Sequence, residues 1–245
     1  MYKHDTIVPY ENSTLSKKEQ VAAMFDTIAG KYDFFNRFLS AGIDVHWRKK
    51  ALQYLVPLQP QYMLDIATGT ADVALMAQKI LNPQKIVGID ISKEMLNIGI
   101  AKVAKAKLST VIDLQMGDSE AINFGDNTFD AVTVAYGVRN FENLEKGMAE
   151  IQRVLKPNGR LIVLEFSKPK QNIWSKFYNL YMGVVAPKMV SVFSKNKEAY
   201  EYLNNSVKAF PERENFVEVL KNANFKNCNF KSLSLGICCI YIADK

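Results

Sequence analysis

Asp65-Ile66-Ala67-Thr68-Gly69-Thr70-Ala71-Asp72, followed by Val87-Gly88-Ile89-Asp90, decides the fold. A short apolar run carries an acid into a tight glycine turn, a helical pattern follows, and a second apolar run ends in another acid. Asp65 and Asp90 stand 25 positions apart, the length of one strand-helix-strand unit. Such a unit places the turn and the second acid at the carboxyl ends of a parallel sheet, where nucleoside cofactors bind.

The turn argues against a dinucleotide. A pyrophosphate needs bare backbone close to it, hence the three glycines of G-x-G-x-x-G. Here Gly69 is the loop's one glycine, and positions 67, 68 and 71 are Ala, Thr and Ala. A loop that carries side chains and is led by an acid suits a cofactor without phosphates, and S-adenosylmethionine is one. Asp90 is placed to accept both ribose hydroxyls with its two oxygens. Asp65 either supports the loop or meets the ammonium of the amino-acid end. The plainer alternative is that both acids only cap strands and helices.

The 245 residues fit one large domain, and a 48% hydrophobic content supports a real core. The longest apolar runs are too short for a spanning helix, and Met1-Tyr2-Lys3-His4-Asp5 lacks a signal-peptide core. Cys228, Cys238 and Cys239 are an odd number with no metal spacing, so neither a disulfide framework nor a metal site is expected and a reducing cytoplasm is. The net charge of +6 is scattered, with Lys102, Lys105 and Lys107 reading as a solvated helix face. No basic stripe or base-flipping motif supports a nucleic-acid substrate.

Ser16-Lys17-Lys18-Glu19 has the form of a capping box, and Val21, Met24, Phe25 and Ile28 follow at helical spacing. Strands are expected at Tyr62 to Ile66, Lys85 to Asp90, Val111 to Met116, Phe129 to Ala135 and Arg160 to Phe166. Helices alternate with them, the turn Lys156-Pro157-Asn158-Gly159 precedes the fifth strand, and Ser92 is a good N-cap. This is the rhythm of an α/β, doubly wound, Rossmann-like sheet. After Pro169 the rhythm breaks into a stretch holding Trp174, Phe177, Tyr178, Tyr181, Phe193, Tyr200 and Tyr202, read as an apolar lid or as a pair of packing helices. Pro211 to Ala223 is again helical, and Phe225 to Leu233 and Leu235 to Ile242 form a hairpin that adds an antiparallel edge strand.

Two rims carry further chemistry. Gly117-Asp118-Ser119 follows strand three, where a carboxylate can bond the exocyclic amine of adenine and Ser119 can add to it; a turn acid serving local backbone is the alternative. Tyr136-Gly137-Val138-Arg139-Asn140 ends strand four. An arginine beside an asparagine at a rim can hold an oxyanion and orient a hydroxyl, or the arginine can anchor a helix end. Asp130, before strand four, reads as a structural strand-entry residue, and His46 as a surface histidine.

Lys31-Tyr32-Asp33-Phe34-Phe35-Asn36, Ser40-Ala41-Gly42 and Trp47-Arg48 resemble the N-terminal signature of the ubiquinone/menaquinone biosynthesis C-methyltransferase family. So do Tyr136 to Asn140, Arg153 to Arg160 running into Leu164-Glu165-Phe166-Ser167-Lys168-Pro169, and Ala199-Tyr200-Glu201-Tyr202-Leu203 with Phe210-Pro211. The resemblance implies a class I S-adenosylmethionine-dependent methyltransferase, with a seven-stranded, mostly parallel sheet and a C-terminal antiparallel strand. Its parts would be N-terminal helices over 15–56, a cofactor-binding core over 60–169, an aromatic lid over 170–208, and a C-terminal helix and hairpin over 209–245. It implies methylation of a ring carbon of a prenylated quinol, with demethylmenaquinol first and a polyprenyl benzoquinol second. Peripheral contact with a membrane and a homodimer are expected alongside. Cofactor contacts would fall at Thr70, Asp90, Asp118 and Ser119, beside Asp65 and Gly69, and catalysis at Arg139, Asn140 and Tyr32, with Asp33 and Asn36 completing that wall. Ala135 stands where a family member often has serine, and Ala67 and Ala71 where glycine is common. A non-catalytic binding module and an NAD-dependent oxidoreductase are the competing classes.

Overall fold

The computed structural model describes residues 2–40, 42–169 and 197–245. Two helices lead, α1 (Lys17–Leu39) and α2 (Ile43–Gln53). The strand-helix rhythm follows: β1 (Tyr62–Ile66), α3 (Asp72–Leu81), β2 (Lys85–Asp90), α4 (Lys93–Lys105), β3 (Ile112–Met116), β4 (Phe129–Ala135), α5 (Leu144–Val154) and β5 (Leu155–Phe166). The chain closes with α6 (Lys197–Ala209), α7 (Glu214–Asn222), β6 (Lys226–Leu233) and β7 (Cys238–Asp244). The expected lid over 170–208 lies outside the described residues as far as 196; from Lys197 on it is helix. No helix among the described residues is long and apolar enough to cross a membrane.

One seven-stranded sheet has the order β3-β2-β1-β4-β5-β7-β6. β1 to β5 run parallel, and β7 runs antiparallel to both β5 and β6. The antiparallel strand is therefore interior, and β6 forms the edge, where the sequence suggested an antiparallel edge strand. The reason is apolar content: Cys238 to Ala243 are all buried, whereas β6 alternates polar residues that tolerate solvent. The Lys156-to-Gly159 turn is absorbed into β5 as a bulge. Phe129 pairs with Leu155 and Ala131 with Arg160, so the extra residues loop out, with Asn158 at φ +65°.

Alternation along the strands divides the core. Leu64, Ile66, Val132, Val134, Leu161 and Val163 pack against α5 and α7. Met63, Ala131, Ile162 and Leu164 face α2 and α3. Asp65 and Thr133 are register partners on this second face. A third cluster joins Val21, Met24 and Ile28 of α1 to Met95 of α4 and Tyr202 of α6. The capping box holds at the start of α1: Ser16 accepts from the Glu19 amide, and the Glu19 carboxylate accepts from the Ser16 amide. Asp26 of α1 in turn accepts from the Ser92 hydroxyl (2.6 Å) and the Glu94 amide (3.0 Å), tying α1 to the start of α4.

The loop after β1 touches the rim after β4. A Cβ built on Gly137 would lie 2.5 Å from Ala67 Cβ and 3.2 Å from Val134 Cγ1. The methyl at Ala67 is thus accommodated by the missing one at Gly137. Gly137→Ala is expected to cost ~1–3 kcal/mol by overpacking two short side chains that cannot swing away. Gly30→Ala, on the exposed face of α1 with nothing within 4 Å, is expected to stabilise by ~0.4–1 kcal/mol. Thermal unfolding should therefore shift in opposite directions for the two variants.

Candidate active site

The carboxyl ends of β1, β2, β3 and β4 surround a cleft of about 670 Å³, open solvent at its mouth included. Its wall brings together Tyr32, Gly69, Asp90, Asp118, Ser119 and Asn140 of the sequence-derived residues, with Ala67, Ala135, Tyr136 and Gly137 between them. Val21, Phe25, Ile91, Met95 and Phe141 supply apolar surface, and Lys18, Glu120 and Glu142 supply charge.

Asp65 supports the loop. It is buried, its Oδ1 accepts from the Thr133 hydroxyl (2.6 Å) and its Oδ2 from the Thr68 hydroxyl (2.7 Å). Both oxygens are engaged inside the fold, and Asp65 is absent from the cleft wall. Burial pushes its carboxyl up to about 6, with the two hydroxyls opposing. Asp90 does face the cleft. Its Oδ2 accepts from the Gly69 amide (2.8 Å) and its Oδ1 from the Ser92 amide (2.9 Å), which aligns the carboxylate beneath the loop. Burial pushes it, too, up to about 6; those amides oppose the shift and Asp26 adds to it. Both acids hold protons in the folded chain that the unfolded chain releases near pH ~4. Their stabilising contribution is present below that pH and is lost as pH rises through about 6. A protein that works near neutrality bears this cost to keep buried carboxylates at the site.

The loop reaches its shape through Ala67 (φ +52°), Gly69 (φ +55°) and Ala71 (φ +65°). Thr70 between them is buried and turned away from the cleft. Its hydroxyl donates to Asp33 Oδ1 (2.6 Å) and accepts from Lys102 Nζ (2.9 Å), and Lys102 also pairs with Asp33 and Asp72. Thr70 and Asp33 thus fasten α1 to the loop and α4, and Lys102 leaves the solvated-face reading to join them. Tyr32 remains on the wall, with Asn36 bonded to its phenol. Burial raises that phenol, and Arg139 pulls it down.

At the β3 rim, Asp118 Oδ2 accepts from Lys18 Nζ (2.6 Å) and its Oδ1 from the Glu120 amide (2.9 Å). Glu120 accepts from the amides of Glu142 and Asn143, so it fixes the segment between β4 and α5. The sequence reading missed Lys18 and Glu120. Lys18 sits inside the capping box, and only the tertiary path of α1 carries it about a hundred residues across the chain.

After β4, Tyr136 at φ +61° turns the chain into the 3-10 turn Val138–Asn140. Asn140 reaches the cleft, while Arg139 points into the protein. The Arg139 guanidinium donates to Glu165 Oε1 (2.6 Å) and to the Tyr136 carbonyl (2.7 Å), and lies 5.6 Å from the centre of the Phe166 ring. Glu165 is fully buried and also accepts from the amides of Phe166 and Arg139. Burial raises the Glu165 carboxyl and Arg139 draws it back down, while Arg139 keeps its proton. The contacts of Arg139 are those of the anchoring alternative: it ties the turn after β4 to the end of β5. His46 is exposed, and Asp130 accepts from the amides of Gln61 and Tyr62.

The donor set suits a cofactor with positive groups. Asp90, Asp118, Glu120 and Glu142 face the cleft, and Lys18 on its wall is already paired with the last three. A pyrophosphate would meet carboxylates there. A ribose diol, an exocyclic amine, an ammonium and a sulfonium would be favoured, and a Cβ placed at Gly69 meets nothing within 4 Å.

The sequence profile of the ubiE/COQ5 methyltransferase family matches residues 13–245. A Bacteroides fragilis protein named demethylmenaquinone methyltransferase is 43% identical over 244 residues, covering 100% of this chain and 99% of its own length. A Geotalea uraniireducens protein named ubiquinone/menaquinone biosynthesis C-methyltransferase UbiE is 41% identical over 230 residues, covering 94% of this chain and 97% of its own. Among solved structures, a SAM-dependent methyltransferase from Thermotoga maritima aligns with a TM-score of 0.61 at 16% identity, over 91% of this chain and 99% of that one, and so shares the fold. The chain belongs to the ubiE/COQ5 methyltransferase family.

Proposed function

We propose that this protein transfers a methyl group from S-adenosylmethionine to a ring carbon of demethylmenaquinol. The observation that carries the reading is an acid-lined cleft at the carboxyl ends of β1 to β4 whose inner rim presents Asn140 and, behind it, the Arg139 cation. Relatives matched over the whole chain carry the menaquinone name alone, which favours a naphthoquinol. The shorter Geotalea match carries both names and keeps a polyprenyl benzoquinol as the second reading.

S-Adenosylmethionine supplies a methyl carbon already bearing a good leaving group, so the protein's task is alignment and charge. Asp90 is assigned to the ribose hydroxyls, and Asp118 with Ser119 to the adenine amine, with Lys18 yielding its hold on Asp118. Gly69 gives the loop its close approach, and Asp65 and Thr70 hold that loop from behind. On the acceptor side, a quinol ring carbon becomes a strong nucleophile once a ring hydroxyl, of pKa ~10 in water, loses its proton. The Asn140 carbonyl oxygen accepts from that hydroxyl and orients it. The Arg139 charge stabilises the quinolate, since a guanidinium does not itself take up the proton; that proton would pass to water, and once the methyl carbon has bonded to the ring carbon, with its bond to sulfur broken, the ring carbon would release its hydrogen to water as a proton and the ring regain aromaticity. Tyr32 closes the opposite wall. A prenylated acceptor resides in the bilayer, so peripheral contact with a membrane belongs to this reading, and a homodimer is compatible with it.

Purified protein given S-adenosylmethionine and reduced demethylmenaquinone should yield menaquinol, and faster than a demethylated benzoquinol is methylated. No product from either quinol would overturn the reading. Arg139→Ala is expected to destabilise the fold by about 3–5 kcal/mol, because Glu165 is left charged and buried. The double variant Arg139→Ala/Glu165→Ala should regain much of that stability in chemical denaturation while turnover stays lost; restored turnover would remove Arg139 from the chemistry. Cofactor affinity should weaken as pH falls through about 6, where Asp90 takes up its proton beside Asp26 and Tyr32. By calorimetry the dissociation constant at pH 5 should be roughly tenfold that at pH 7.5, with the dependence lost in Asp90→Asn.

A further inference from the structure

Residues 2–12 precede the stretch that the family profile matches, and the reaction above gives them no task. They are nonetheless built into the fold. Lys3–Thr6 forms a 3-10 turn that packs on the 3-10 turn Val138–Asn140, and α6 packs on both. His4 is fully buried, with its ring edge-on to Phe210 at 5.7 Å. Tyr2 packs against the core cluster that holds Val138 and Phe141. The Tyr10 amide donates to Gln20 Oε1 of α1 (2.9 Å). Residues 2–6 are absent from the cleft wall, so this strap braces the Asn140 turn from outside the cleft.

One charged group fastens the strap to α1. Lys17 is 5% exposed, and its Nζ donates to the His4 carbonyl (2.7 Å). That carbonyl already accepts from the Ile7 amide (3.1 Å). Asp5 of the strap and Glu120 and Glu142 of the cleft wall act on Lys17 through space, and none of them bonds to it. Burial pulls its pKa down to about 8 against the pull of these three acids. An ammonium taken out of water with one neutral acceptor weakens a fold. Stability therefore gives no reason for a cation at this position, whereas its place does. Lys17 and Lys18 stand side by side at the start of α1. Lys18 turns to the acids of the cofactor side, and Lys17 turns to the strap that backs the acceptor side.

We propose that Lys17 is a positioning residue for methyl transfer: by holding the strap of residues 2–6 on the Val138–Asn140 turn, it keeps Asn140 aimed into the cleft. A charged donor suits the task, because a charge-assisted hydrogen bond is roughly twice as strong as a neutral one. Lys17 touches neither cofactor nor quinol and takes no part in bond making. The effect on turnover rests on the quinol reading above; the effect on the turn does not.

Lys17→Met keeps an unbranched apolar chain and removes the cation, so it separates fastening from packing. Hydrogen exchange should quicken at the amides of Asp5 and Ile7 in the strap and of Asn140 and Phe141 in the turn, all of which are hydrogen-bonded in the native fold, with the sheet unchanged. The kcat for demethylmenaquinol should fall roughly tenfold through loss of alignment, with S-adenosylmethionine affinity by calorimetry unchanged and the melting temperature unchanged or raised. Faster exchange in the strap alone, with the turn and kcat as in the wild type, overturns the inference and leaves the quinol reading intact. A lower melting temperature together with weaker cofactor binding would make Lys17 a packing residue and likewise overturn it. A wild-type protein that methylates neither quinol removes the quinol reading; exchange at Asn140 and Phe141 then decides the inference alone, faster exchange supporting it and unchanged exchange overturning it.

Discussion

The buried ion pair between Arg139 and Glu165 governs how the rest of the site is arranged. Two charges taken out of water are tolerated only when each is fully occupied. Here Glu165 accepts from the Arg139 guanidinium and from two backbone amides, and Arg139 spends a second hydrogen bond on the Tyr136 carbonyl. These bonds join the end of β5 to the turn after β4 and leave that turn one geometry, with Arg139 inward and Asn140 outward. Aromatic packing closes over the pair: Phe166 stacks on Tyr136 at 4.6 Å, and Trp47 of α2 meets Phe166 edge-on at 6.3 Å. The N-terminal helices therefore help to hold the turn after β4 and are not an appendage to the sheet.

In the proposed reading, charge divides the site into two halves. The cofactor side is acidic, with Asp90 and Asp118 supported by backbone amides and Lys18 bridging Asp118, Glu120 and Glu142. The acceptor side holds a permanent cation set behind a neutral asparagine. A sulfonium approaches the first half favourably, and a quinolate the second. On that reading the methyl group would move between two species of opposite charge, each matched to its own wall.

Much of this was legible in the sequence. β1, β2 and β4 begin and end where hydrophobic patterning places them, because each is a short apolar run bounded by turn residues. Asp90, Asp118, Ser119 and Asn140 reach the cleft because the carboxyl ends of parallel strands converge there. What could not be read off depends on long-range contact. Glu165 lies in an apolar strand, and nothing local says that its partner sits on another strand's rim. Lys18 looks like an ordinary capping-box residue, and Lys102 like a solvated one, until α1 is folded across the sheet. Thr70 neighbours Gly69 in sequence, yet left-handed residues on both sides turn its hydroxyl to Asp33 and Lys102. The antiparallel strand was foreseen, but its interior position followed from the burial of β7 and not from any turn signal.

The central claim is that one cleft holds the methyl donor on its acids and the quinol against Asn140, with the Arg139 cation behind it. A crystal structure of the complex with S-adenosylhomocysteine and a tail-shortened naphthoquinol tests it most directly. The account predicts ribose hydroxyls on Asp90, adenine at Asp118 with Lys18 displaced, and a ring oxygen within hydrogen-bond distance of Asn140. A nucleoside bound away from Asp90, or a quinol ring remote from the turn after β4, would contradict it.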